Sequence, residues 1–154
     1  MVKVLEGQGK GKGKRVAIVV GRFNGFITKK LCNACVGELI KQGVSRNAIT
    51  VAWVPGSFEI PATALRLSKK KSIDAVICLG AVLQGETLHY ELVAREAAHG
   101  IMNASLLTQK PIIFEILAAR KAKLLEDRAK VKGLNKGRMA AQTALEMIDL
   151  YHQL

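Results

Sequence analysis

Residues 73–117 read IDAVICLGAVLQGETLHYELVAREAAHGIMNASLLTQKPIIFEIL. Residues 73–83 form a nearly unbroken apolar run, as expected of a strand covered on both faces. Beyond Gly85 the pattern changes to helical spacing. Val93, Ala97 and Ile101 fall on one stripe, which predicts a long helix over residues 87–110. Residues 111–117 return to an apolar run, a second strand. A strand, a long helix and a strand make a crossover unit, and such a unit sets its two strands parallel.

The same alternation continues outward. RVAIVVG (15–21) is a strand, and ITKKLCNACVGELIKQG (27–43) is a helix with Gly43 at its C-terminal end. AITVAWVP (48–55) is a strand, and SFEIPATALRLSKKK (57–71) is a helix with Pro61 in its first turn. After residue 117 come a short basic helix, RKAKLLEDRAK (120–130), and a final helix over 135–154 with Ala141, Leu145 and Ile148 inward. Four alternations predict the α/β class: a three-layer α/β/α sandwich around a four-stranded parallel sheet. Residues 1–14 read as a basic tail, or at most a short edge strand in VKVLEG, and residues 15–154 as one domain. The GKGKGK run fits no phosphate-loop register and precedes a strand instead of following one.

A net charge of +12 favours anionic partners, and a small phosphate ester is the simplest. Aromatic residues are only 5% of the chain, too few for a base-stacking surface, and no recognition motif accompanies the lysines, so no nucleic-acid partner is expected. No apolar run reaches the ~18 residues of a membrane span. Three cysteines, an odd number, suit a reducing cytoplasm. The CNAC pair, Cys32 and Cys35, falls inside a helix with no second ligand pair, which reads as core packing instead of a redox or zinc site.

In open parallel sheets ligands bind beyond the carboxyl ends of the strands. Phe23 follows the first strand and offers a stacking face. Gly56, Ser57, Phe58 and Glu59 follow the second, where backbone N–H groups at a helix start can meet a polar ring or an anion. Gly85, Glu86, Thr87 and His89 follow the third, with Gly85 making the turn, Glu86 and Thr87 opening the helix, and His89 able to shuttle protons. Phe114 is read at the end of the fourth strand, with Arg128 and Lys136 supplying positive charge beyond it.

RFN, VPGSFEIP, GETLHYE, PIIFEIL and the NKG…ALEM segment, in this order and spacing, resemble lumazine synthase, an enzyme family of riboflavin biosynthesis. The resemblance runs from about residue 14 to the end. It implies a flavodoxin-like fold and condensation of 5-amino-6-(D-ribitylamino)uracil with 3,4-dihydroxy-2-butanone 4-phosphate to 6,7-dimethyl-8-ribityllumazine, with no metal or organic cofactor. It implies that His89 transfers protons. Phe23, Gly56, Ser57, Phe58 and Glu59, the backbone of Ala81, Val82 and Leu83, and Phe114 from a neighbouring subunit would hold the aminouracil. Glu86, Thr87, Arg128 and Lys136 would hold the butanone phosphate. It further implies a homopentamer, alone or closed into an icosahedral capsid, and a functional link to riboflavin synthase. The chain departs from the family pattern at Glu115, where the family carries glycine, and over residues 118–127. A non-catalytic lumazine or flavin binder, or a shell-forming protein on the same scaffold, is the alternative reading.

Overall fold

The computed structural model describes all residues, 1–154. Four strands, β1 (Val16–Gly21), β2 (Ile49–Val54), β3 (Ala75–Leu83) and β4 (Ile112–Ala119), pair in parallel in the order β2-β1-β3-β4. Five helices connect and cover them: α1 (Gly25–Lys41), α2 (Ile60–Ser68), α3 (His89–Thr108), α4 (Ala122–Ala129) and α5 (Lys136–Tyr151). The expected parallel α/β sandwich is what forms, and the strand order is the flavodoxin-like one up to its fourth strand.

The two faces of the sheet bury separate cores, because side chains alternate along each strand. Val16, Ile18 and Val20 of β1 and Ile77 and Leu79 of β3 meet α1, α4 and α5 through Leu31, Leu39, Leu125, Leu145 and Ile148. Ala17 and Val19, with Val76 and Cys78, meet α2 and α3 through Ile60, Ala64, Ala97 and Ile101. β1 and nearly all of β3 are buried, which is why they read as continuous apolar runs. Cys32, Cys35 and Cys78 are free thiols inside these cores, and burial pushes all three above the usual thiol range. The CNAC pair is core packing, as its helical setting suggested.

Helix contacts are close where glycine allows it. A Cβ on Gly137 in the first turn of α5 would lie 2.3 Å from the Leu31 carbonyl oxygen of α1. The segment before β1 forms no regular element and is tied down instead. Gly11 N–H donates to the Gln42 carbonyl, Lys10 N–H to the Asp149 carboxylate, and the Gln153 amide to the Glu6 carbonyl.

Of the boundaries that differ from expectation, two bear most on the site. β4 continues to Ala119, because Ala118 and Ala119 pair with Val82 and Leu83 of β3. Phe114 is therefore the third residue of the strand, opposite Cys78, and not at its carboxyl end. α3 begins at His89, not at Thr87: the Thr87 hydroxyl accepts from His89 N–H at 3.3 Å, and Glu86 and Thr87 form the bend before the helix.

Candidate functional site

A cleft of about 610 Å³ opens at the carboxyl end of the sheet. β1 hands the chain to Phe23 and Asn24, β2 to Pro55–Glu59, and β3 ends in Ala81–Leu83; the first turn of α3 closes the far side with His89, Tyr90, Leu92 and Val93. This is the β1/β3 position where the chain changes direction across the sheet and both flanking loops splay apart.

Each wall has a local cause. Asn24 adopts a left-handed backbone (φ 56°), tolerated best by asparagine among residues with a Cβ, and its side-chain amide donates to the Ala81 carbonyl at 2.8 Å. That bond ties the end of β1 to the end of β3 past the last paired residues, Val20 and Leu79. Phe23 is 73% exposed, so its ring is held out over the cleft instead of in the core. Residues Ser57–Glu59 form one 3₁₀ turn, and the Glu59 carboxylate accepts from Gly56 N–H at 2.9 Å. Ser57 is buried, and its Oγ lies where a Cβ on Gly80 would come within 2.5 Å of it. Only glycine at position 80 leaves that hydroxyl its place.

His89 is exposed on the first turn of α3. Just before it, the N–H groups of Glu86, Thr87 and Leu88 make no hydrogen bond within the chain. Gly85 has no positive φ, and a Cβ there would touch nothing, so neither turn geometry nor packing requires glycine at this position.

Of the residues singled out from the sequence, Phe23, Gly56, Ser57, Phe58, Glu59, Ala81, Val82, Leu83 and His89 line one cleft. Glu86, Thr87, Phe114, Arg128 and Lys136 do not line it. Phe114 projects from β4 on the α2/α3 face and is 45% exposed. Arg128, in the last turn of α4, donates from Nη1 to the Leu124 carbonyl of its own helix at 2.9 Å. Lys136 opens α5 beside Glu115; burial raises the Glu115 carboxyl above its ordinary range and the lysine partly offsets this. Asn24, which the sequence places beside Phe23 but gives no role, lines the cleft too, as do Pro55, Tyr90, Leu92 and Val93. Asn24 stood beside Phe23 at a strand end, and Val93 lies one helical turn beyond His89, so both carried a usable signal.

Two comparisons with known proteins agree on a family. The 6,7-dimethyl-8-ribityllumazine synthase family profile matches residues 13–152. A 6,7-dimethyl-8-ribityllumazine synthase from Protochlamydia amoebophila (strain UWE25) is 46% identical over 140 residues, covering 91% of this chain and 81% of the relative. The chain belongs to the 6,7-dimethyl-8-ribityllumazine synthase family.

Proposed function

We propose that the strand-end cleft is where this chain carries out its family's reaction, a transferase step of riboflavin biosynthesis that yields 6,7-dimethyl-8-ribityllumazine. The observation that carries the assignment to this cleft is the convergence of nine motif residues from three strand ends and one helix start on a single cavity. Its volume suits a ribityl-substituted pyrimidine.

The amine of 5-amino-6-(D-ribitylamino)uracil condenses with the ketone of 3,4-dihydroxy-2-butanone 4-phosphate, releasing water and leaving an imine. Proton transfer and loss of phosphate follow, and ring closure with a second dehydration gives the lumazine. Phe23 stacks on the pyrimidine. The backbone of Ala81–Leu83 faces its polar edge, and Ser57 and Glu59 hold the ribityl chain. His89 moves protons between amine, carbonyl and leaving group. The free N–H groups of Glu86 and Thr87, preceding a helix start, suit the phosphate. A glycine at position 85 that the fold does not require supports close approach of a ligand there. Holding both reactants together supplies much of the rate, since a bimolecular step becomes effectively intramolecular.

Arg128 and Lys136 complete the phosphate site in this reading, and Phe114 comes from a neighbouring copy. Self-assembly is supported by apolar surface that one chain leaves uncovered. Leu88, Leu92, Met102 and Leu106 form an outer stripe along α3, on the side opposite Ala97, Ile101 and Ala104. Val51 and Trp53 are partly uncovered on the edge strand β2. We read the assembly as a pentamer or a pentamer-based capsid, working in the cytoplasm and feeding riboflavin synthase.

The test mixes the protein with both substrates and follows lumazine absorbance against an enzyme-free blank, for the wild type and Arg128→Ala. The expected result is product above the blank, with Arg128→Ala raising KM for the butanone phosphate about tenfold or more, as loss of a charged hydrogen bond does. No product from folded protein would favour the non-catalytic reading, and unchanged KM and kcat would remove Arg128 from the site.

A further inference from the structure

The proposed chemistry uses two of the cations between Arg120 and Arg138 and leaves six others without a role. That stretch holds Arg120, Lys121, Lys123, Arg128, Lys130, Lys132, Lys136 and Arg138 against only two acids, Glu126 and Asp127. Asp127 is shared by Lys123 and Lys130, at 3.5 and 3.2 Å. Arg120, Lys121 and Lys132 are exposed, and their side chains make no hydrogen bond or ion pair. Lys121 stands at the position just before α4 and Lys123 lies in its first turn, while Lys136 and Arg138 lie in the first turn of α5; neither first turn contains an acid. The helix dipole favours the opposite sign at these positions. Lys123 answers to Asp127, Lys136 to Glu115 and Arg138 to Glu38, but Lys121 has no internal partner, and a local rule broken without internal compensation marks a functional surface.

The lysines at the end of α2 and of α3 have an internal reason. Lys69, Lys70 and Lys71 follow the C-terminus of α2, where positive charge suits the dipole, and Lys110 donates to the carbonyls of Lys70 and Ile73.

We propose that α4 and the loop joining it to α5 form a binding surface for the phosphate backbone of a nucleic-acid duplex, independent of its sequence. This goes beyond the catalytic reading and does not depend on it. The cations lie before, along and beyond α4, whose eight residues rise about 12 Å. That length of duplex presents about seven phosphate charges, whereas one phosphate ester would engage only a part of the surface. This departs from the expectation of no nucleic-acid partner drawn from the sequence: scarce aromatics argue against reading bases and disfavour single strands, but phosphate contacts need only ammonium and guanidinium groups.

The test is fluorescence anisotropy of the full-length chain with a labelled random-sequence DNA duplex of about 20 base pairs across about 50–300 mM salt. Affinity is expected to fall linearly in log K against log salt. The triple variant Arg120→Gln, Lys121→Gln, Lys132→Gln should bind about tenfold or more weakly at 100 mM salt, with a slope flatter by about three. The triple variant Lys69→Gln, Lys70→Gln, Lys71→Gln loses the same charge and should stay within about twofold of wild type. Absence of duplex binding at 100 mM salt overturns the proposal. Equal weakening in both triples overturns it too, because net charge alone then explains binding. Polyglutamate of matched charge competing as well as duplex would assign the surface to an acidic protein instead. Lumazine formation, expected unchanged in both triples, separates failure here from failure of the catalytic reading.

Discussion

At the scale of single residues, the cleft depends on small groups as much as on reactive ones. Ser57 keeps its hydroxyl in the cleft wall because Gly80 has no Cβ; an added methyl would meet Ser57 Oγ at 2.5 Å and Ile116 at 3.2 Å. Ile116 belongs to a packed core, so the serine is the group that moves. Gly80→Ala is therefore expected to lower stability by about 1–3 kcal/mol in urea unfolding. It should also raise KM for the aminouracil more than KM for the butanone phosphate. Equal KM values with wild-type stability would show that the serine has room to spare. Among the residues named from the sequence, those whose side-chain type carries a signal, an aromatic, a hydroxyl, an acid and a histidine at strand ends, do line this cleft. Asn24 was harder to value, because its role comes from a left-handed backbone and a bond to Ala81, 57 residues away.

At the scale of elements, the α1–α5 pair shows how a buried charge is accommodated. Glu38 of α1 is 5% exposed and accepts from the Gln42 amide at 2.7 Å and the Gln142 amide of α5 at 3.0 Å. Burial pushes its carboxyl up, but those hydrogen bonds, with Lys41 and Arg138, outweigh burial and hold it below the ordinary carboxylate range. A folded-state value below the unfolded one means that the stabilisation is complete above the ordinary glutamate range. It is lost as pH falls through the lower, folded value. Glu38→Ala, which leaves two amides without an acceptor, should cost about 1–3 kcal/mol near neutral pH, and the difference from wild type should shrink in acid. Thermal unfolding at a series of pH values checks this; a gap that is constant or widens in acid contradicts it. Element types and order were legible because apolar period changes so clearly between strand and helix. Boundaries were less so. Ala118 and Ala119 carry no strand signal of their own and are held in β4 by pairing with β3. Thr87 looked like a helical residue, whereas its hydroxyl accepts from the N–H of the first one.

At the scale of the whole molecule, the sheet sets one end for ligands and leaves apolar surface on α3, β2 and β4 uncovered within one chain. Phe114 is displaced from the strand end and does not line its own chain's cleft, so a shared site requires a neighbour to supply it. Co-refolding Phe114→Ala chains with His89→Ala chains should then restore activity above that of either parent, as some sites receive both intact residues. No restoration would assign each site to a single chain. The exposed apolar stripe of α3 was not legible as a distinct surface, because apolar periodicity does not say which residues one chain leaves uncovered. In this reading one cleft joins the two substrates, with His89 as the group that moves protons. Steady-state lumazine formation by His89→Ala tests it most directly. The expected result is kcat lowered by about 10²-fold, with KM for both substrates nearly unchanged. Wild-type kcat in that variant would contradict it.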